Sequence, residues 1–148
     1  MRFVIFFLGL FSMIGQGAHA TEVEPPLSSN RGPVLCVWSI TVTQIAVAEK
    51  CFKGKDPEFV DTLKWSLGRM DAFILRNSKI SVMALEARRR KLSNDVLKNM
   101  KADAAGVCVP GQPLLVFYPK TIPPRAEIEA ATNKLLEINR RPEMNPCM

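Results

Sequence analysis

Four cysteines, Cys36, Cys51, Cys108 and Cys147, restrict how this chain can close on itself more than any other feature. They stand 15, 57 and 39 residues apart. None has the C-x-x-C spacing of a zinc knuckle or a dithiol redox site. An even count without that spacing reads as two disulfides, provided the chain folds in an oxidising compartment.

The first twenty residues supply that compartment. "MRFVIFFLGLFSMIGQGAHA" has a charge at Arg2, an apolar run from Phe3 to Ile14 and a small-x-small site at Ala18–Ala20. This is the pattern of a secretory signal peptide cleaved after Ala20, with an apolar part too short for a stable membrane anchor. The mature chain is then Thr21–Met148, expected in the bacterial periplasm or secreted, and no later segment is expected to span a membrane. The whole chain carries +6, so the mature part carries +5 once Arg2 is removed. Its length fits the usual range of about 100–200 residues per domain. Residues 1–20 are read as signal peptide, 21–33 as a flexible leader rich in polar residues and proline, and 34–148 as a single helical domain.

Residues 34–52 admit two readings. Trp38, Ile40 and Val42 alternate with Ser39, Thr41 and Thr43, as in a strand. Val34, Trp38, Thr41, Ile45, Ala48 and Phe52 also form a helical stripe, and the run lacks glycine and proline for longer than strands usually last. Helix is favoured, with a strand over 34–43 as the alternative. Residues 57–77 are the clearest helix. Asp56 is placed to cap it, Pro57 occupies the first helical position, and Val60, Leu63, Leu67, Met70 and Ile74 form one apolar stripe. Gly68 within it suggests a close helix crossing. Helical periodicity resumes over 81–105, with a break expected at Ser93-Asn94-Asp95 and a stop at Gly106. The segment "VPGQPLLVFYPKTIPP" has a turn at Pro110-Gly111 and expects Leu114–Tyr118 to be extended or an edge strand. A last helix follows over 125–139, with Ile128, Thr132, Leu135 and Ile138 inward. The tail to Met148 is expected to be disordered unless Cys147 ties it down. The fold expected is mainly all-α: a small disulfide-stapled bundle of about four helices with a proline-rich connection.

The helices decide the cysteine pairing. Fifteen residues of helix separate Cys36 from Cys51 by about 22 Å, far beyond the roughly 7 Å a disulfide tolerates. In an up-down-up-down bundle, Cys51 and Cys108 lie at one end, and Cys36 and Cys147 at the other. The expected pairs are therefore Cys51–Cys108 and Cys36–Cys147.

Several chemistries lack their residues. The single histidine, His19, lies in the signal peptide. The mature chain therefore offers no Ser-His-Asp or Cys-His catalysis, HExxH zinc site or CxxCH haem site. No GxGxxG or GxxxxGK[ST] run is present. No metal, cofactor or nucleic-acid partner is expected, and no enzyme activity. Asp56, Glu58 and Asp61, with Glu127 and Glu129, are read as acids complementing helix N-termini, with a carboxylate-only hydrolase as the remote alternative.

Three features bear on partners. Asp71 leans into the apolar face of its helix and needs a counter-ion, which Arg88, Arg89 or Arg90 is expected to supply through a bidentate pair. Arg88–Lys91 form the densest basic run and offer an alternative role on anionic membrane or envelope polymer. Trp65, Arg69, Phe73 and Arg76 share the other side of the second helix as a candidate protein-binding face. The function expected is binding of another protein, as an inhibitor, an immunity protein or a chaperone-like accessory.

Overall fold

The computed structural model describes residues 32–101, 108, 113–145 and 147. The signal peptide, its cleavage site, most of the leader, the Gly106 stop and the Pro110-Gly111 turn lie outside them. Four α-helices follow in order: α1 (Val34–Cys51), α2 (Pro57–Asn77), α3 (Val82–Lys101) and α4 (Arg125–Leu135), with a 3-10 turn at Pro113–Phe117 between the last two. No strand occurs among the described residues.

α1 is the central element, packed against α2, α3 and the 3-10 turn. That position explains its ambiguous sequence, because a helix covered on several sides is apolar around most of its circumference. Its hydroxyl residues fit because each bonds backward to the carbonyl one turn earlier. Ser39 donates to Leu35 O at 2.8 Å, Thr41 to Val37 O at 2.9 Å and Thr43 to Ser39 O at 3.0 Å, which removes the cost of burying an unpaired hydroxyl. By length and composition alone α1 could cross a membrane, contrary to the sequence expectation, but half of it is buried inside the protein.

α2 buries Leu63, Leu67, Met70 and Ile74 as the stripe requires, while Val60 is only half-buried. It also buries a second stripe, Phe59, Thr62, Ser66 and Phe73. The two stripes exist because α2 is covered twice, by α1 and by α4. Asp56 does not cap α2 through its side chain. Its carboxylate instead accepts the Tyr118 hydroxyl. Gly68 sits in open space rather than at a crossing, since a methyl group there would meet nothing within 4 Å.

Ser81 begins α3, accepting from the Ala84 amide at 3.2 Å. The helix then runs through residues 93–95 without the expected break. The Lys91–Asp95 pair at 2.6 Å spans one turn across that point and holds Asp95 on the helix surface. Leu114–Phe117 are not extended but part of the 3-10 turn, closed by Tyr118 N donating to Leu115 O at 3.0 Å. α4 ends at Leu135, four residues earlier than expected, and Ile138 is exposed. Arg140 stops it: one guanidinium nitrogen donates to Leu135 O at 2.9 Å, and the other to Gly32 O at 2.9 Å.

The lower end holds the N-terminus of α1, the α2–α3 turn, the end of α4 and the tail. Nine buried residues form its core, including Val34, Trp38, Met70, Phe73 and Leu135. The disulfide Cys36–Cys147 ties the tail there, with Cα atoms 5.4 Å apart. The tail's Glu143 carbonyl also accepts from Leu35 N, one of the unpaired amides of the first turn of α1. The upper end holds a smaller cluster of Ala46, Val47 and Val96. Cys51–Cys108 closes it, Cα atoms 5.3 Å apart, and Tyr118 stacks on Phe52 at 4.0 Å. The pairs are the two that helix direction requires, and they fit an oxidising, exported compartment.

Candidate functional site

α4 lies chiefly on α2 rather than completing a closed four-helix ring. Its last residue, Leu135, joins the lower core beside α1. Above that point a groove of about 530 Å³ opens between α1 and α4. α2 forms its floor with Phe59, Leu63 and Ser66. α1 contributes Val37, Thr41 and Gln44 to one wall, and α4 contributes Ile128, Ala131 and Leu135 to the other. Pro119 and Pro123 close the upper end. Proline fixes this connection in place without needing amide partners.

Polar groups in the floor are already satisfied. Thr132 donates its one hydroxyl proton to Ile128 O at 2.8 Å. Ser66 must therefore be the donor in the 2.7 Å Ser66–Thr132 hydrogen bond. The Thr41 hydroxyl is committed to Val37 O. The floor thus behaves as apolar surface. Only Gln44 on the wall, with Glu127 and Lys134 on α4, brings polar groups without a hydrogen-bond partner or ion pair among the described residues. Glu127 and Lys134 are seven residues apart, about 10 Å along the helix.

The residues singled out in the sequence fall elsewhere. Asp71 is 14 % exposed, and its Oδ2 accepts from Arg89 at 2.5 Å. Its Oδ1 accepts from Trp38 Nε1 at 2.8 Å. The pair is therefore shared between Arg89 and the indole rather than bidentate, and Arg89 Nε is buried without a partner. The other members of the basic run are partly neutralised: Arg90 lies 3.8 Å from Glu86 and Lys91 pairs with Asp95. Arg88 carries no carboxylate partner among the described residues.

Phe73 corrects the candidate protein-binding face. It is fully buried, under the Arg140 guanidinium at 5.7 Å, because α1, α4 and the tail cover that side of α2. Trp65 is half-buried, with Arg69 over its ring at 6.0 Å, and Arg76 is exposed. These three remain near one another without an aromatic anchor between them.

The helix-terminal acids are largely engaged in structure. Glu129 is held by Arg125 at 2.7 Å. Asp56 is held by Tyr118, whose hydroxyl is pushed up to about 12 by burial first, then by the hydrogen bond and charge of Asp56. No cluster of three or more metal-ligating side chains occurs among the described residues. Sequence reasoning missed the groove itself. The signal that points to it is the second α2 stripe, Phe59–Thr62–Ser66–Phe73, which requires a second covering element.

No family model, curated protein or solved structure matches this chain.

Proposed function

We propose that the protein is an exported binding protein, periplasmic or secreted, that holds an apolar helical segment of another protein in the groove between α1 and α4. It acts by occupancy rather than catalysis, as an inhibitor, an immunity factor or a chaperone-like accessory. The observation that carries this reading is the groove: an apolar trough with its floor hydroxyls internally paired, flanked by two helices as if one member of a bundle were left out. A helix laid there would meet α1, α2 and α4 together, the arrangement by which amphipathic helices dock in grooves. Glu127 and Lys134 set its polarity, favouring a basic residue near the first and an acidic residue about two turns away near the second.

Ala131 gives a clean test because it is exposed on the groove wall. Ala131→Arg fills the trough without disturbing the core. The expected result is a partner captured from envelope extract that survives high salt with the unaltered chain. That capture drops at least tenfold with Ala131→Arg, at unchanged melting temperature, and persists with Trp65→Ala. A partner retained by Ala131→Arg, or lost only when Arg88–Lys91 are neutralised, overturns the groove reading.

A further inference from the structure

We propose that the lower end of the molecule is a docking surface for anionic lipid bilayers, separate from the groove and from the Arg88–Lys91 run. The surface starts at the α2–α3 turn. Val82 and Met83, the first two residues of α3, are 55 % and 77 % exposed. Neither supports the core, whose α3 contribution at this end is Leu85. At the same end the tail exposes Ile138 and Met144. The two segments are joined through the core beneath them, since Ile80 before α3 and Leu136 after α4 pack against the same cluster.

Basic side chains border these apolar ones. Arg76 and Lys79 flank the turn, and neither has a carboxylate partner among the described residues. Lys134, Arg140 and Arg141 lie on the α4 side. The acids at this end are Glu137 and Glu143, so positive charge prevails. Exposed apolar side chains set among lysine and arginine match the two components of an anionic bilayer: acyl boundary for the former, headgroup phosphates for the latter.

The position of the chain start favours a membrane over a second protein. Gly32 is fixed at this same end by Arg140. Residues 1–31, with the apolar run Phe3–Ile14, therefore leave the folded part from this surface. A chain still joined to that run presents its lower end to the bilayer first.

The test is co-sedimentation of the protein, purified from the exported fraction, with phosphatidylglycerol-containing vesicles and with pure phosphatidylcholine vesicles. Binding is expected to the anionic vesicles only, and to weaken as salt rises. Val82→Ser with Met83→Ser, and separately Arg76→Glu with Lys79→Glu, are each expected to reduce it by about tenfold or more, given the contribution of one buried apolar side chain. All four positions are exposed, and circular dichroism confirms folding. Arg88→Glu and Ala131→Arg are expected to bind vesicles as the unaltered chain does, so the groove reading stands or falls independently. Absence of vesicle binding, equal binding to neutral vesicles, unchanged binding in either double variant, or loss confined to Arg88→Glu overturns the proposal. A protein partner captured through Val82 and Met83 without lipid would assign the surface to that partner instead.

Discussion

The two ends of the molecule are held by different means. The lower end buries nine side chains in one cluster, and its disulfide and tail are added to a core that already exists. The upper end buries three small-to-medium side chains and relies on the Cys51–Cys108 bond, the Phe52–Tyr118 stack and the Tyr118–Asp56 hydrogen bond. Burial resists loss of any single contact, whereas a stapled end depends on a few discrete bonds. A groove whose upper rim is Pro119 and Pro123 is therefore positioned by the end that depends on those bonds.

The largest expected effect comes from removing the upper staple. Cys51→Ala with Cys108→Ala releases a 57-residue loop, which costs about 4 kcal/mol in the chain-entropy view. Hydrogen exchange should rise over the end of α1, the end of α3 and the 3-10 turn, while Met70 and Phe73 amides stay protected. Equal loosening at both ends would break the comparison. Next is Asp71→Asn, which keeps an oxygen for Trp38 but removes the charge facing Arg89. With Asp71 mostly buried and Arg89 about one-third exposed, denaturant unfolding should show a loss of about 2 kcal/mol. Unchanged stability would remove this ion pair from the lower end's account.

Tyr118→Phe gives the smallest change, about 1.5 kcal/mol for a hydrogen bond to a carboxylate. It also carries a pH signature. The folded hydroxyl titrates at about 12 against an ordinary value of 10.0. The folded state therefore holds this proton more tightly than the unfolded chain. The associated stability is complete below about pH 10 and is lost as pH rises through 12. Because Tyr118 is the one tyrosine in the chain, phenolate absorbance reads this group directly. The substitution should abolish the alkaline slope it causes, and an unaltered slope would assign it to other groups.

Much of the architecture was legible in the sequence because local rules and global fold agree there. The Pro57 start and the Leu63–Ile74 stripe mark α2, and helix length alone forbids Cys36–Cys51. Asp71 on an apolar face announced a buried counter-ion, although Trp38 as its second partner required knowing how α1 is turned. The misreadings share one cause, the position of α4. Phe73 looked available because one stripe was taken as the whole buried face of α2. Ile138 looked inward because nothing local shows that Arg140 reaches back to cap Leu135. The groove depends on how far α4 stands from α1, and that spacing follows from long-range contacts such as Ser66–Thr132, 66 residues apart, which periodicity does not report.

The most direct test of groove binding is site-specific photo-crosslinking in the exported compartment, with a photoreactive residue at Ala131 and, separately, at Arg69. A discrete cross-linked partner from position 131 and none from position 69 is the predicted result. Cross-links from position 69 with none from 131 would contradict it and move the binding surface to the Trp65–Arg76 side of α2.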